Sequence, residues 1–239
     1  VFDDAYRSGH DRVAALVAGL GEVELARGVP ACPDWTVRDL VAHLAGSAAD
    51  VAARHTAGMP GPSWTAAHVE QRAGRTVGEL LAEWDEHADR TAESIEDRRV
   101  PAGVLHDLLV HEGDLVEAVG AAAPPWDGWA AAARLVVRQV VRGVRGSPSL
   151  VVRSAGIEWR SPDDPGERRG PGRGASASAS ASIRSTVTVD FYELYRGLHS
   201  RRSRDQMRRW EWDGSPEPWV DALPMFGPRD DEQPVPATR

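Results

Sequence analysis

The chain has 239 residues, 41% of them hydrophobic, enough for one large core or two ordinary ones. Its formal net charge is -8 and all 28 basic residues are arginine, which argues against a general nucleic-acid binder, since that role needs a positive surface. A single cysteine, Cys32, excludes an internal disulfide and fits the reducing cytoplasm; no apolar run approaches the roughly 20 residues of a membrane span, and Asp3 and Asp4 stand where a secretion signal would be basic.

The first part of the chain reads as helices. Residues 3–20 carry Tyr6, Val13, Leu16, Val17 and Leu20 on one side. In "GVPACPDWTVRDLVAHLAG", Pro30 and Pro33 stiffen the approach to a helix predicted over 36–57. Thr36 caps its start, with Asp39 three residues later near the positive end of the helix. Val37, Leu40, Val41 and Leu44 mark its inward face, and His43 borders that face. A short helix is predicted over 64–73, and a long one over 76–97 with Val77, Leu80, Leu81, Trp84, Ala88 and Ile95 inward. "VPAGVLHDLLVHEGDLVEAVG" follows, with Pro101 in the first turn and Gly120 as a stop. A further helix is predicted over 127–144. Long periodic helices joined by short polar loops predict an antiparallel, all-α bundle over residues 1–146.

The pattern changes at "RGSPSLVVRSAGIEWRS". Val151 and Arg153, then Ile157 and Trp159, alternate as strands do, with Gly156 as the turn between them. Residues 161–182 are rich in Gly, Pro, Arg and Ser and read as a mobile hairpin loop leading into a strand over 183–189. "DFYELYRGLH" and "SRDQMRRW" read as helices, the second capped by Ser203 or Asp205, and "PEPWVDALP" as a last helical turn or two. Residues 147–239 are therefore expected to form a small α+β domain.

Chemistry gathers in "VLHDLLVHEGDLVEA". Asp107 and His111 are spaced i, i+4 and Asp114 follows at i+7, which puts all three on one helical stripe beside Val104, Leu108 and Leu115. An imidazole and a carboxylate so spaced reach one ion, and a third ligand from a facing helix closes the triangle, as in metal sites of bundle cores. His43 suits that third place. Two His and one carboxylate leave positions open for water, thiol or substrate. The same residues also suit simpler roles: Asp107 and His111 as a surface ion pair, His43 as a hydrogen-bonded helix residue, Asp114 as a surface acid. His106 competes as a ligand but points about 140° away from His111 on the helix. His10, His55, His68, His87 and His199 carry no supporting pattern and read as surface or capping residues. Cys32 has no evident base nearby in sequence and reads as a buried small residue.

"VPACPDWTVRDLVAHLAG" closely resembles the N-terminal motif of the mycothiol-dependent maleylpyruvate isomerase family, in the wider DinB-like metalloprotein superfamily. "DLLVHEGD" resembles the family's second motif, and "LHSRRSRDQMRRWEWDGSPEPWVDALPMFG" its sterol-carrier-like C-terminal α+β domain. The resemblance implies His43, Asp107 and His111 as ligands of a divalent metal, usually zinc, with Asp107 where the characterised isomerase has Glu. It implies mycothiol as the thiol cosubstrate, an actinobacterial and cytoplasmic setting, and a catalytic arginine in a Gly-Arg-Arg-like turn. The matching residue is Arg201 in "HSRRS", with Ser200 replacing Gly and Arg202 as the neighbouring alternative. Asp114 would then orient a ligand or an arginine. The cleft between the bundle and the C-terminal domain would be the substrate site. The expected activity is thiol transfer to, or cis–trans isomerisation of, a small electrophile by a monomeric enzyme. A metal-dependent hydrolase and a non-enzymatic small-molecule binding protein are the competing classes.

Overall fold

Helix α3 (Val37–Ala53) shows how the sequence sets the first half of the fold. Thr36, extended at φ -86°, accepts from the Asp39 amide while the Asp39 carboxylate accepts from the Thr36 amide, so the first turn is closed on both sides. The same reciprocal cap, Thr76 with Glu79, starts α5 (Val77–Glu96). Helix α6 (Gly103–Val119) has no side-chain cap at its start and stops at Gly120, held at φ 72°. That left-handed backbone suits glycine.

The computed structural model describes residues 1–59, 61–125, 128–164 and 184–237. The chain forms two compact units, Val1–Ala132 with Pro234–Arg239, and Ala133–Gln233. In the first, α1 (Phe2–Ala18) packs on α5 and α6, and α3 packs on α5 and α6, closing a ring of four helices. Helix α4 (Pro62–Gln71) lies on α3. The core holds Tyr6, Val13, Leu40, Leu44, Leu80, Trp84, Ile95, Leu105, Leu108 and Leu115. Each large apolar side chain there contributes about 1.5–3 kcal/mol of burial. The Trp84 indole N–H donates to Tyr6 Oη at 3.1 Å, so this fully buried ring carries no unspent polar atom.

Three small elements of the first unit were not predicted. Helix α2 (Glu22–Leu25) precedes a two-stranded antiparallel ribbon of β1 (Gly28–Val29) and β2 (Cys32–Thr36). The prolines hid the ribbon, because only the short β1 pairs with β2 and Pro33 loses little on such an edge. Helix α7 (Ala130–Gly143) straddles the division between the units, which falls at Ala132/Ala133, within its first turn, where the sequence placed it at 146/147.

The second unit carries a sheet in the order β4-β3-β5-β6, from β3 (Ser149–Ser154), β4 (Ile157–Arg160), β5 (Arg184–Thr188) and β6 (Glu211–Asp213). Strands β3 and β4 form a hairpin whose turn residues, Ala155 and Gly156, both have positive φ, as a tight hairpin turn requires. The segment between β4 and β5 is not a hairpin connection: β5 pairs parallel with β3, and β3 separates the two. Residues 165–182 of the expected mobile loop, and Ile183 of the expected strand, lie outside the described residues. Helices α8 (Phe191–Leu198), α9 (Arg204–Arg208) and α10 (Trp219–Ala222) complete the unit. Ser203, the first of the two predicted caps, closes α9 with Gln206. No described helix is long and apolar enough to cross a membrane.

Candidate metal centre

Helices α3 and α6 bring His43, Asp107 and His111 together. His43 Nε2 lies 3.0 Å from Asp107 Oδ2, and His111 Nε2 lies 3.5 Å from Asp107 Oδ1. One donor atom from each residue falls within 4.8 Å of the other two. Both imidazoles are buried and Asp107 is half-buried, so the cluster sits at the edge of the core. Around a tetrahedral cation with bonds of about 2.1 Å, ligand atoms stand about 3.4 Å apart. The two imidazole–carboxylate separations lie near that spacing, each ring facing a different oxygen of Asp107, and two imidazoles with a carboxylate suit zinc or another divalent metal. The residues present therefore fit the group that the sequence implied.

Electrostatics reinforces the cluster. Burial alone would raise the Asp107 pKa, but the His43 and His111 imidazoles outweigh it and hold the carboxyl well below its usual range. Burial pushes His111 down, whereas Asp107 and then Asp114 push it up by more, leaving it well above its ordinary value. Asp114 Oδ2 lies 2.9 Å from His111 Nδ1. A carboxylate there accepts the Nδ1 proton and leaves Nε2 to face Asp107. Trp35, at the end of β2, covers both imidazoles, with ring centroids 5.1 Å from His43 and 6.0 Å from His111.

Cys32 is half-buried rather than buried, and its thiol reaches Asp114 Oδ2 at 3.7 Å. Cys32, His111 and Asp114 form a second group of close donors, which shares His111 with the first. His106 is in neither group, and burial lowers its pKa to about 4.

Arg201 is half-buried in the second unit and donates from Nη1 to the His199 carbonyl at 2.9 Å. The preceding Ser200 has φ 61°, the left-handed conformation that glycine takes most easily. Hydrogen bonds hold it there: Ser200 Oγ accepts from the Phe226 amide at 3.2 Å and its carbonyl from Arg229 at 3.1 Å. Arg202, the neighbouring alternative, is fully buried and forks onto Glu193, Nε to Oε2 at 2.7 Å and Nη2 to Oε1 at 2.8 Å. That geometry gives Arg202 a structural partner.

Three histidines read as surface or capping residues are buried. His10 packs edge-on against Trp84 with ring centroids 4.7 Å apart, and His199 Nδ1 lies 2.8 Å from the Tyr195 carbonyl. His68, on α4, lies against His43, their Nδ1 atoms 3.1 Å apart. Its pKa is lowered, chiefly by burial, against the pull of Asp50. No spacing in the sequence marks His68: it reaches His43 at Gly46, one turn past His43 on α3, where a Cβ would stand 2.6 Å from its Cγ.

Residues 6–116 match the family model described as the mycothiol maleylpyruvate isomerase N-terminal domain. No curated protein matches the chain. Among solved structures, that of the mycothiol-dependent maleylpyruvate isomerase is 13% identical, with 98% of this chain and 95% of that chain covered at a TM-score of 0.54. A mutant of the same enzyme, at 12% identity, gives the same coverage and the same TM-score of 0.54. At such identity the two structures show a shared fold.

Proposed function

From the premise that residues 6–116 belong to the mycothiol maleylpyruvate isomerase N-terminal family, we propose that the chain is a metal-dependent enzyme that uses mycothiol to isomerise, or to transfer sulfur to, a small electrophile. The convergence of His43, Asp107 and His111 at cation-ligand spacing is the observation that carries this reading. Zinc is the divalent metal proposed, the helical unit is read as a DinB-like bundle, and residues 147–239 as a sterol-carrier-like domain.

When bound, a divalent cation supplies Lewis acidity that lowers a thiol's pKa from about 8.5 toward neutrality. His43 and His111 offer nitrogen lone pairs, and Asp107 supplies the negative charge that offsets a cation's. Asp114 holds the His111 ring in orientation through Nδ1. Trp35 shields the two imidazoles from water on its side. The thiolate adds to an electrophilic carbon of the substrate's double bond, which becomes single and rotates. Expulsion of the same thiolate from the resulting carbanion restores the double bond in the trans form; protonation of the carbanion by solvent instead retains the sulfur as a thioether. Arg201 is assigned to the substrate carboxylate, which a guanidinium clamps with two parallel hydrogen bonds.

Metal analysis of the purified chain followed by turnover with and without mycothiol tests this reading. Stoichiometric divalent metal and thiol-dependent conversion of maleylpyruvate, or of another cis-alkene acid, are expected. Thiol-independent hydrolysis would favour the metal-dependent hydrolase, and absence of both metal and thiol-dependent turnover the binding protein.

A further inference from the structure

His43 has a second nitrogen, and its partner belongs to a layer behind the candidate metal centre. His43 Nδ1 lies 3.1 Å from His68 Nδ1, and His68 Nε2 lies 3.1 Å from Asp50 Oδ2. Each imidazole is only 2% exposed. With a cation at His43 Nε2, these contacts have one consistent polarity. An ionised carboxylate only accepts, so the proton between His68 and Asp50 sits on His68 Nε2. A neutral His68 then has an unprotonated Nδ1, and the proton between the two Nδ1 atoms sits on His43. His43 Nε2 faces ionised Asp107 at 3.0 Å, which accepts from a proton on that atom; a cation bound there takes the proton's place, and a neutral His43 then keeps its proton at Nδ1 and offers the lone pair of Nε2. The opposite polarity would put a second proton on buried His68 and, for a neutral His43, a hydrogen on Nε2 where a cation needs a lone pair.

The surrounding residues are built to hold this contact. A Cβ on Gly46 would stand 2.6 Å from His68 Cγ and 2.7 Å from its Cβ, so α3 carries no side chain where His68 approaches. Arg72 forks onto Glu83 at 2.9 and 2.7 Å and donates to the His68 carbonyl at 3.3 Å, pinning the end of α4. The Trp64 ring packs edge-on to His68 at 4.1 Å. Asp114 acts on His111 directly; His43 reaches its carboxylate through a second imidazole.

We propose that Asp50 and His68 are positioning residues that hold His43 as the Nδ1–H tautomer, with its Nε2 lone pair presented to a divalent cation. This inference rests on the metal-binding reading of the cluster. Zn2+ affinity, measured by competition with a chromogenic chelator, tests it in the wild type, His68→Leu and His68→Asn. Leucine removes the acceptor, whereas asparagine returns an amide oxygen close to the position of Nδ1. His68→Leu should weaken Zn2+ binding about 10- to 100-fold, and His68→Asn should recover most of the loss. In the Zn2+-loaded wild type labelled with 15N-histidine, a scalar coupling between the His43 and His68 Nδ1 atoms should appear across the hydrogen bond. A packing role alone would produce neither the rescue nor the coupling.

Wild-type affinity in His68→Leu, equal weakening in both variants, or absence of the coupling would each overturn the proposal. If His68→Leu does not fold, the wild-type coupling decides. If the wild type binds no Zn2+, the proposed function and this inference fall together; if it binds Zn2+ and His68→Leu matches it, this inference alone falls.

Discussion

The His43–Asp107–His111 cluster and the Glu193–Arg202 pair are both buried groups of ionisable side chains, and they differ in what their atoms still offer. Arg202 meets Glu193 fork to fork, two donors on two oxygens, and the geometry is that of neutralisation. In the cluster, one carboxylate stands between two imidazole nitrogens at distances that suit ligands around a shared ion. Buried charge is thus not in itself the mark of a site. Convergence of lone pairs is, when each imidazole's other nitrogen is already engaged.

The strongest way to break this comparison is to delete a convergent atom. His43→Ala, Asp107→Ala and His111→Ala should each abolish stoichiometric metal binding while far-UV circular dichroism stays helical. A His43→Ala protein that kept its metal would remove His43 from the centre. Arg202→Met should do the reverse, costing about 3–5 kcal/mol in urea unfolding by stranding buried Glu193, with metal content unchanged. Gly46→Ala sharpens the cluster's side of the comparison. Its new methyl meets His68 directly, so a loss of about 1–3 kcal/mol is expected together with weaker Zn2+ binding. Gly78→Ala, where a Cβ meets nothing within 4 Å, should be neutral or add up to about 1 kcal/mol.

A pH-dependent effect concerns a histidine that takes no part in the cluster. His106 has a pKa of about 4 in the folded chain, lowered by burial. Its unfolded value is about 6.5, so between the two the unfolded state binds more protons. Stability therefore falls as pH falls through that window and is fully present above it. Urea midpoints at pH 7 and pH 5 should differ less in His106→Gln than in the wild type.

Much of the site was legible because helical spacing is local. Asp107, His111 and Asp114 share a stripe by arithmetic, and the Thr36 cap fixes where α3 begins, hence where His43 points. His68 was not legible, since its role depends on α4 lying across α3 at Gly46, a tertiary fact that no periodicity carries. The β1–β2 ribbon was missed for a related reason: its pairing register is irregular between Gly28 and Val29, so the sequence lacks clean alternation. In the second unit, the hairpin at Ala155–Gly156 was readable from its glycine, but the parallel pairing of β5 with β3 was not, because strand order is set by contacts distant in sequence.

The two helices that meet at the cluster differ in how they begin. The reciprocal cap at Thr36 locks α3 from its first turn, whereas α6 starts at Gly103 without a side-chain cap and is secured at its far end by the Gly120 stop. Unwinding of α6 from its loose end would reach Asp107 after a single turn, and His111 and Asp114 only later. Warming should therefore open the centre from the aspartate side first. Amide hydrogens around 105–108 should exchange before those around 111–116, releasing the ion while the four-helix ring still stands.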